Sequence, residues 1–271
     1  MNLMERVAVV TGAGSGIGRG LALALSRRGC HLALADINTD GLAETKAMIR
    51  SVKVTTHKLD VTDRAACLAL PQAVLDSHGR IDVLVNNAGV AIGGTFEQVD
   101  EADFDWLMEV NFHAVVRLTR AFLPQLKTSD QARIVNVSSL FGLIAPPGQT
   151  AYSAAKFAVR GFSESLRREL EEAGSNVGVT VVHPGGINTS IAKNARPPRH
   201  VTNEEAAQIE SEKDRFQKFL RMSPVKAGEI IAAGIEGERP RVLVGGDARI
   251  AALVERLLPV GYWNILKRSM A

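Results

Sequence analysis

Seven short runs of apolar and β-branched residues alternate along this chain with longer segments of helical length. The strand-like runs are Arg6–Val10, His31–Ala35, Val52–Lys58, Asp82–Asn86, Arg133–Val137, Val177–His183 and Arg241–Val244. The helical segments are Gly16–Arg28, Asn38–Arg50, Thr62–His78, Glu101–Leu126, Ala151–Ala173 and about Asn203–Glu236. Near-continuous apolar strands separated by helices predict a parallel sheet that is covered on both faces. The pattern therefore predicts an α/β fold with a doubly wound, seven-stranded parallel sheet.

We expect all 271 residues to form a single domain, because no repeat and no Pro-, Ser- or Gly-rich linker divides the chain. The polar stretch Ser190–Met222 interrupts the alternation, and we interpret it as a substrate lid over the sheet edge. The last 25 residues, 247–271, have the apolar spacing of an amphipathic extension.

The composition excludes several classes of protein. Apolar residues make up 46% and charged residues 23%, so the chain is neither disordered nor a disulfide-rich mini-protein. The net charge of +3 is spread thinly and aromatic residues amount to 5%, which argues against a nucleic-acid partner. Cys30 and Cys67 form no C-x-x-C pair, so no metal site is expected. With neither a signal peptide nor an apolar run of about 18 residues, a cytoplasmic location without a membrane-spanning segment is expected.

A glycine-rich turn joins the first strand to the first helix. It reads Thr11-Gly12-Ala13-Gly14-Ser15-Gly16-Ile17-Gly18 and follows the G-x-x-x-G-x-G spacing rather than G-x-G-x-x-G. Glycines permit a tight turn and close approach to a pyrophosphate, and the helix N-terminus offers free N–H groups. This strand–turn–helix context predicts a Rossmann-type dinucleotide site that uses Gly12, Ser15, Gly16, Ile17 and Gly18.

Asp36 follows the second strand, eighteen residues after Gly18. A carboxylate at that strand end can accept hydrogen bonds from both ribose hydroxyls and would repel the 2′-phosphate of NADP, so we expect NAD. The alternative is an acidic residue near the start of the next helix, at Asn38 or Thr39. Arg19 could meet a phosphate, but a surface position is favoured because Ile37, and no second basic residue, follows Asp36.

Tyr152 and Lys156 are four residues apart at the start of a helical segment, so both lie on one helix face. A nearby ammonium would lower the phenol pKa from about 10, and the tyrosine could then exchange a proton with an alcohol or a carbonyl oxygen. The alternative is a packing tyrosine.

Ser138 and Ser139 end the fifth strand, where a hydroxyl can bond the same substrate oxygen, although a turn is favoured for Ser138. Asn111 lies within a helical pattern. It is either a tolerated polar residue or the site of a helix irregularity that holds a water.

Together these motifs resemble the short-chain dehydrogenase/reductase family over nearly the whole chain. The resemblance is carried by Thr11-Gly12-x-x-x-Gly16-x-Gly18, Asn86-Asn87-Ala88-Gly89, Ser139, Tyr152-x-x-x-Lys156 and Pro184-Gly185 with Thr189. It implies Tyr152 as acid and base, Lys156 on the nicotinamide ribose, Ser139 on the substrate oxygen, and Asn111 as the anchor of a proton relay. It also implies cofactor contacts from Asp60, Val61, Asn86, Ala88, Gly89, Pro184, Gly185, Ile187 and Thr189, with Asn87 bracing the sheet.

The implied activity is hydride transfer between NAD(H) and a secondary alcohol or ketone. An NAD-sensing module without turnover and a structural partner subunit are the alternatives; a sensor would need none of Ser139, Tyr152 and Lys156. Gly186 departs from the family, which more often has a larger residue there, and this weakens the assignment of Ile187. The resemblance further implies a homo-oligomer, a dimer or tetramer, built through the helices Glu101–Leu126 and Ala151–Ala173.

The substrate is expected to be lipophilic, because residues 140–147 are apolar and the lid adds apolar anchors. Those anchors are Ile191, Ile209, Phe216, Phe219, Leu220 and Met222. Arg196, Arg199, His200 and His183 could bind an acidic group, but surface positions are favoured. Aromatic residues beside Lys267 and Arg268 in the tail are compatible with a membrane interface. The favoured role of the tail is subunit contact or closure of the substrate pocket.

Overall fold

The core of the protein is a seven-stranded parallel sheet, and the structure, a computed structural model, describes residues 1–198 and 201–270. The strand order is β3-β2-β1-β4-β5-β6-β7, which confirms the predicted doubly wound sheet. The strands are β1 (Val7–Thr11), β2 (His31–Asp36), β3 (Val54–Lys58), β4 (Val83–Asn86), β5 (Ala132–Val137), β6 (Val177–Pro184) and β7 (Arg241–Val244). Because β1 lies between β2 and β4, the order reverses beside β1, where such sheets bind ligands.

The described part of the chain has ten α-helices, of which the first eight connect the strands and cover both faces of the sheet. They are α1 (Gly16–Ser26), α2 (Thr39–Ala47), α3 (Arg64–His78), α4 (Glu101–Met108), α5 (Ala114–Leu126), α6 (Thr150–Glu172), α7 (Asn203–Phe219), α8 (Pro224–Glu236), α9 (Gly246–Leu257) and α10 (Tyr262–Met270). None of the helices within the described ranges is both long enough and apolar enough to cross a membrane.

Two apolar cores form because successive side chains of each strand point to opposite faces. In β1, Ala8 and Val10 join the core beneath α1 and α8, whereas Val7 and Val9 join the core beneath α3 and α5. All five residues of β1 are buried, as expected for a strand covered on both sides.

Two of the predicted helices are interrupted. The segment 101–126 contains one turn of π-helix, Glu109–His113, between α4 and α5. The segment 203–236 divides into α7 and α8, because Ser223 caps a new helix by accepting a hydrogen bond from the Lys226 N–H and Pro224 is its first residue.

The edge of the sheet at the strands' N-terminal ends is held by a buried carboxylate. Asp82 accepts hydrogen bonds from the Val7 N–H (2.8 Å), from Arg6 (3.1 Å) and from Arg80 (2.6 Å). A buried charge with several donors is well compensated. This network leaves the opposite edge, where the strands end, for the candidate site.

Candidate active site

The glycine-rich turn is closed by backbone conformations and contacts that only glycine tolerates. Gly12 and Gly16 have positive φ values of +65° and +52°. A Cβ atom on Gly18 would lie 2.1 Å from the Gly12 carbonyl oxygen and 2.6 Å from Asn87 Nδ2. The turn thus requires glycine, which has no side chain, at the positions that the sequence motif predicts.

The N-terminus of α1 points its first backbone N–H groups out of this turn. Ser15 precedes the helix in an extended conformation, and its side chain does not cap the helix. The N–H groups of Gly16, Ile17 and Gly18 therefore remain available to an anion such as a pyrophosphate.

Asp36, the last residue of β2, faces the same turn. One carboxylate oxygen accepts from the Gly14 N–H at 2.8 Å and the other from the Asn38 N–H at 2.9 Å. Asn38, rather than Asp36, caps α2, through the Gly41 N–H. Each carboxylate oxygen keeps a lone pair for a ribose hydroxyl. Arg19 is half-buried: its Nε donates to the Thr45 hydroxyl at 2.9 Å, and its guanidinium pairs with exposed Glu44 at 2.7 Å.

The segment after β4 braces the turn and lines the space beside it. Asn87 donates from Nδ2 to the Thr11 carbonyl at 2.9 Å, and the Ala88 N–H donates to the Thr11 hydroxyl at 3.1 Å. Asn86 instead points into the sheet, donating to Asn136 Oδ1 at 2.8 Å. Its Oδ1 has no hydrogen-bond partner among the described residues.

The π-helical turn places Asn111 against this segment. Asn111 Oδ1 accepts from the Val90 N–H at 2.8 Å, and Nδ2 donates to the Val90 carbonyl at 2.9 Å. A Cβ on Gly89 would lie 3.1 Å from Asn111 Oδ1 and 3.6 Å from Lys156 Nζ. The helix irregularity considered for Asn111 is present, and π-turns of this kind frequently mark functional sites.

Tyr152 and Lys156 share one face of α6, as their spacing predicts. Lys156 Nζ lies 5.5 Å from the centre of the Tyr152 ring and donates to the Val137 carbonyl at 3.1 Å. Lys156 is 4% exposed, yet among the described residues only one of its three N–H donors has an acceptor. A buried ammonium with spare donors fits the hydroxyls of a bound ribose.

The two pKa values differ from the sequence expectation. Burial raises the pKa of Tyr152 to about 12, although a hydrogen bond with Ser139 opposes the shift. Burial also lowers the pKa of Lys156 to about 8. In the protein alone the pKa of Tyr152 is therefore raised rather than lowered, because desolvation of the buried phenol is the dominant cause.

Ser138 and Ser139 have different surroundings. The Ser139 hydroxyl accepts from the Phe141 N–H at 3.1 Å, and Ser139 lies close enough to Tyr152 to oppose the rise in the pKa of its phenol. The Ser138 hydroxyl donates to the Lys156 carbonyl at 2.8 Å and holds α6 against β5. Ser138 is thus more than the turn residue that the sequence favours.

His183 is completely buried, so its predicted surface position is wrong. Its Nδ1 lies 2.9 Å from the Ser139 carbonyl oxygen, and since a carbonyl only accepts, Nδ1 carries the proton. Its Nε2 has no partner among the described residues. Sequence reasoning missed this support beneath Ser139, although His183 lies inside an otherwise apolar strand and its burial was predictable.

The turn after β6 closes the site from another side. Thr189 lies against the glycine-rich turn, 3.2 Å from where a Cβ on Gly16 would be. Ile187 is buried in the core beneath α1 and α8, so its side chain does not face the site. The Gly186 N–H donates to Asp247 at 2.5 Å. This hydrogen bond fixes the turn at a position where the family more often has a larger residue. No pattern in the sequence pointed to Asp247.

The remaining predicted cofactor residues lie at the ends of β3 and β6. Asp60 accepts from the Thr62 N–H at 2.9 Å and from the Thr62 hydroxyl at 2.8 Å. The Val61 carbonyl accepts from Arg117 at 2.8 Å. Pro184 is the last residue of β6, and a Cβ on Gly185 would collide with Asp247.

The predicted lid is fastened to α4. Arg196 pairs with the buried Asp103 at 2.5 Å and stacks 3.6 Å from the centre of the Trp106 ring. Arg196 is thus engaged in a structural contact, whereas Arg199 and His200 lie outside the described residues. Leu220 is buried and Ile209 and Met222 are half-buried; the side chains of Phe216 and Phe219 are not among those described.

Apolar residues surround the Tyr152 ring on two sides. Phe141 meets it edge-to-face at 6.2 Å, in a cluster with Ile144 and Leu266. A second cluster, which includes Ile92 and Leu107, also packs against Tyr152. The site therefore combines one proton-exchanging group with apolar walls.

The family model for short chain dehydrogenases matches residues 6–200 of this chain. The chain belongs to the short-chain dehydrogenase/reductase family. SadH, a Mycobacterium tuberculosis protein described as an oxidoreductase, is 44% identical over 269 residues, which cover 98% of this chain and 95% of SadH. The oxidoreductase UcpA of Salmonella typhimurium is 36% identical over 240 residues, covering 85% of this chain and 87% of UcpA.

Solved short-chain dehydrogenase/reductase structures share the fold. A Burkholderia phymatum family member, crystallised in complex with NAD, has a TM-score of 0.87 and 28% identity, covering 95% of both chains. A Streptomyces avermitilis short-chain dehydrogenase has a TM-score of 0.81 and 31% identity, covering 98% of this chain and 99% of its own. The protein is an oxidoreductase of this family.

Proposed function

We propose that the protein transfers a hydride between NAD(H) and a lipophilic secondary alcohol or ketone, with Tyr152 as general acid and base. The observation that carries this proposal is the grouping of Ser139, Tyr152 and Lys156 beside the glycine-rich turn. Ser139 lies close enough to the Tyr152 phenol to oppose the rise in its pKa, and the Lys156 ammonium lies over the Tyr152 ring. A sensing module would need none of these three groups.

The preference for NAD over NADP rests on Asp36. Its carboxylate is fixed by two backbone N–H groups at the end of β2, beside the glycine-rich turn. There it would accept hydrogen bonds from two ribose hydroxyls but would repel a 2′-phosphate. Arg19, the nearest candidate for binding such a phosphate, is already paired with Glu44.

The cofactor, when bound, supplies the hydride chemistry and, in its oxidised form, a positive charge. The protein's own groups handle the proton. Ser139 orients the substrate oxygen, and Tyr152 donates a proton to it during ketone reduction or removes one during alcohol oxidation. Lys156 holds the ribose and, with its pKa near 8, is charged at neutral pH.

Asn111 is proposed to anchor the proton relay through its backbone. Both polar atoms of its amide are engaged with Val90, so the side chain has a structural task. A π-turn disturbs the regular helical hydrogen bonds, which leaves a carbonyl able to hold a water near Lys156.

The test is a panel of secondary alcohols of increasing chain length, with charged polyols as the contrast, scored by NADH absorbance with the purified protein. Apolar walls predict that kcat/KM rises about fourfold for each added CH₂ until the pocket is full, since burying one is worth about 0.8 kcal/mol. Activity restricted to small charged polyols would refute the lipophilic substrate. Tight NAD binding with no turnover on any compound would favour the sensing module.

A further inference from the structure

The outward face of α9 carries large aliphatic side chains where a surface helix normally carries polar ones. Ile250, Leu253 and Leu257 are spaced i, i+3 and i+7, and they are 61%, 58% and 68% exposed. Ala248 and Ala251 of the same helix are buried, so α9 has an apolar inner face and a second apolar face toward solvent. A contiguous exposed surface of this kind marks an interaction site.

The apolar surface continues through the following turn into α10. Leu258, Val260 and Ile265 are also exposed, and Val260, at 94%, is the most exposed large apolar residue in the described part of the chain. We call this surface the tail ridge; it consists of Ile250, Leu253, Leu257, Leu258, Val260 and Ile265.

Apart from Asp247, the exposed charged residues of α9 and α10 whose side chains the structure describes are basic. Arg249, Arg256 and Lys267 are exposed, and none forms an ion pair with a residue that the structure describes. Of the acidic residues on α9, Asp247 bonds inward to the turn after β6, and Glu255 is half-buried. Unpaired cations around an apolar strip complement an anionic lipid surface.

The inner side of the same helices forms a roof over the active site. The Tyr262 hydroxyl accepts from the Ala145 N–H at 3.0 Å, and Leu266 packs in the cluster that includes Phe141 and Tyr152. An open groove of about 650 Å³, lined in part by Pro146, Pro147, Phe157 and Trp263, lies between α10 and the start of α6. Helices α9 and α10 therefore carry the tail ridge on their outer side and pack against the active site on their inner side.

We propose that the tail ridge docks the protein on an anionic lipid bilayer, with the aliphatic side chains in the headgroup–acyl boundary and the three cations on lipid phosphates. A second copy of the chain is a poorer occupant. A symmetric dimer through the ridge would bring two sets of like charges together, whereas anionic lipid neutralises them. Docking here places the active-site roof at the surface where lipophilic alcohols partition, a consequence that rests on the proposed function.

Co-sedimentation of the full-length protein with lipid vesicles tests the docking. Vesicles of phosphatidylcholine mixed with phosphatidylglycerol should retain at least about tenfold more protein than pure phosphatidylcholine vesicles, because anionic lipid attracts the three cations. The difference should shrink at high salt. Equal retention by both kinds of vesicle, or none, would overturn the proposal.

Variants distinguish vesicle binding through the tail ridge from nonspecific adsorption. The triple variant Ile250→Gln, Leu253→Gln, Leu257→Gln and the pair Arg249→Gln, Arg256→Gln should each lose about tenfold in vesicle binding. The matched control is Met48→Gln with Leu68→Gln, which are 56% and 64% exposed elsewhere on the molecule and should bind as the parent does. Unchanged Tm and NAD affinity establish that each variant is folded.

Two outcomes would contradict the proposal at this stage. One is vesicle binding by the triple variant that equals that of the parent. The other is a smaller sedimenting species for the triple variant without lipid, which would make the ridge an interface between copies. No substrate enters these measurements, so their failure leaves the proposed reaction untouched, and failure of the reaction leaves the docking untouched.

Discussion

The environment of Tyr152 favours one direction of proton transfer in the protein alone. Burial raises the pKa of its phenol to about 12 and lowers the pKa of Lys156 to about 8, so desolvation opposes both charged forms. The phenol is then fully protonated at neutral pH and ready to act as an acid. Its role as a base requires a further positive charge beside the ring, which is what an oxidised nicotinamide cofactor carries.

His183 provides a prediction about pH and stability. Burial lowers its pKa from the usual 6.5 to about 4, so the unfolded chain binds more protons between these values. Stability should therefore fall as the pH drops from 6.5 to 4, by up to about 3 kcal/mol from this residue. The free energy of urea unfolding, measured across this range, checks the prediction.

The variant His183→Asn is the control for that measurement, because Asn can still donate to the Ser139 carbonyl but does not titrate. Its unfolding free energy should depend less steeply on pH below 6.5. His78, whose pKa burial also lowers to about 4, contributes equally in both proteins. An identical pH dependence in parent and variant would show that the pKa of His183 is the same in the folded and the unfolded chain, which would contradict the prediction.

At the scale of elements, the glycine-rich turn offers a matched pair of substitutions. Gly18→Ala places a Cβ 2.1 Å from the Gly12 carbonyl, which should cost about 1–3 kcal/mol of stability and weaken NAD binding at least tenfold. Gly161→Ala, in the exposed middle of α6, meets nothing within 4 Å and should stabilise the protein by about 0.5–1 kcal/mol. Calorimetry with and without NAD measures both; a harmless Gly18→Ala would refute the close-packed turn.

The elements also show where sequence reasoning stops. All seven strands were predicted within about two residues, because a covered parallel strand is apolar along its whole length. The breaks at 109–113 and around Ser223 were not predicted as helix boundaries, since both segments keep a helical apolar spacing across them. Asn111 was the one residue type that signalled an irregularity, and Ser223-Pro224 carried a capping signal that was overlooked.

At the scale of the whole molecule, cofactor binding is linked to stability, because a ligand that binds only the folded chain shifts the unfolding equilibrium. At about a hundredfold excess over its Kd, NAD should raise the unfolding free energy by about 2.7 kcal/mol. NADP at the same concentration should raise it much less, and Asp36→Ser should narrow the difference. Thermal unfolding with each cofactor checks this; an equal effect of NADP on the parent would refute the role of Asp36.

The local motifs of the candidate site were predictable, but its three-dimensional supports were not. The glycine turn, Asp36 and the Tyr152–Lys156 pair are short-range patterns. Asp247 beneath Gly186, His183 beneath Ser139 and Arg196 on Trp106 are contacts between residues more than forty positions apart. No spacing rule in a single sequence connects such residues, because the fold alone brings them together.

The most direct measurement of the central claim is single-turnover hydride transfer in the variant Tyr152→Phe, with NAD binding measured by calorimetry on the same protein. The substitution removes one hydroxyl and keeps the ring between its two apolar clusters. We predict parent-like NAD affinity with a rate lower by about 10²–10⁴-fold, the usual contribution of a general acid or base. A rate within a fewfold of the parent's would contradict the account.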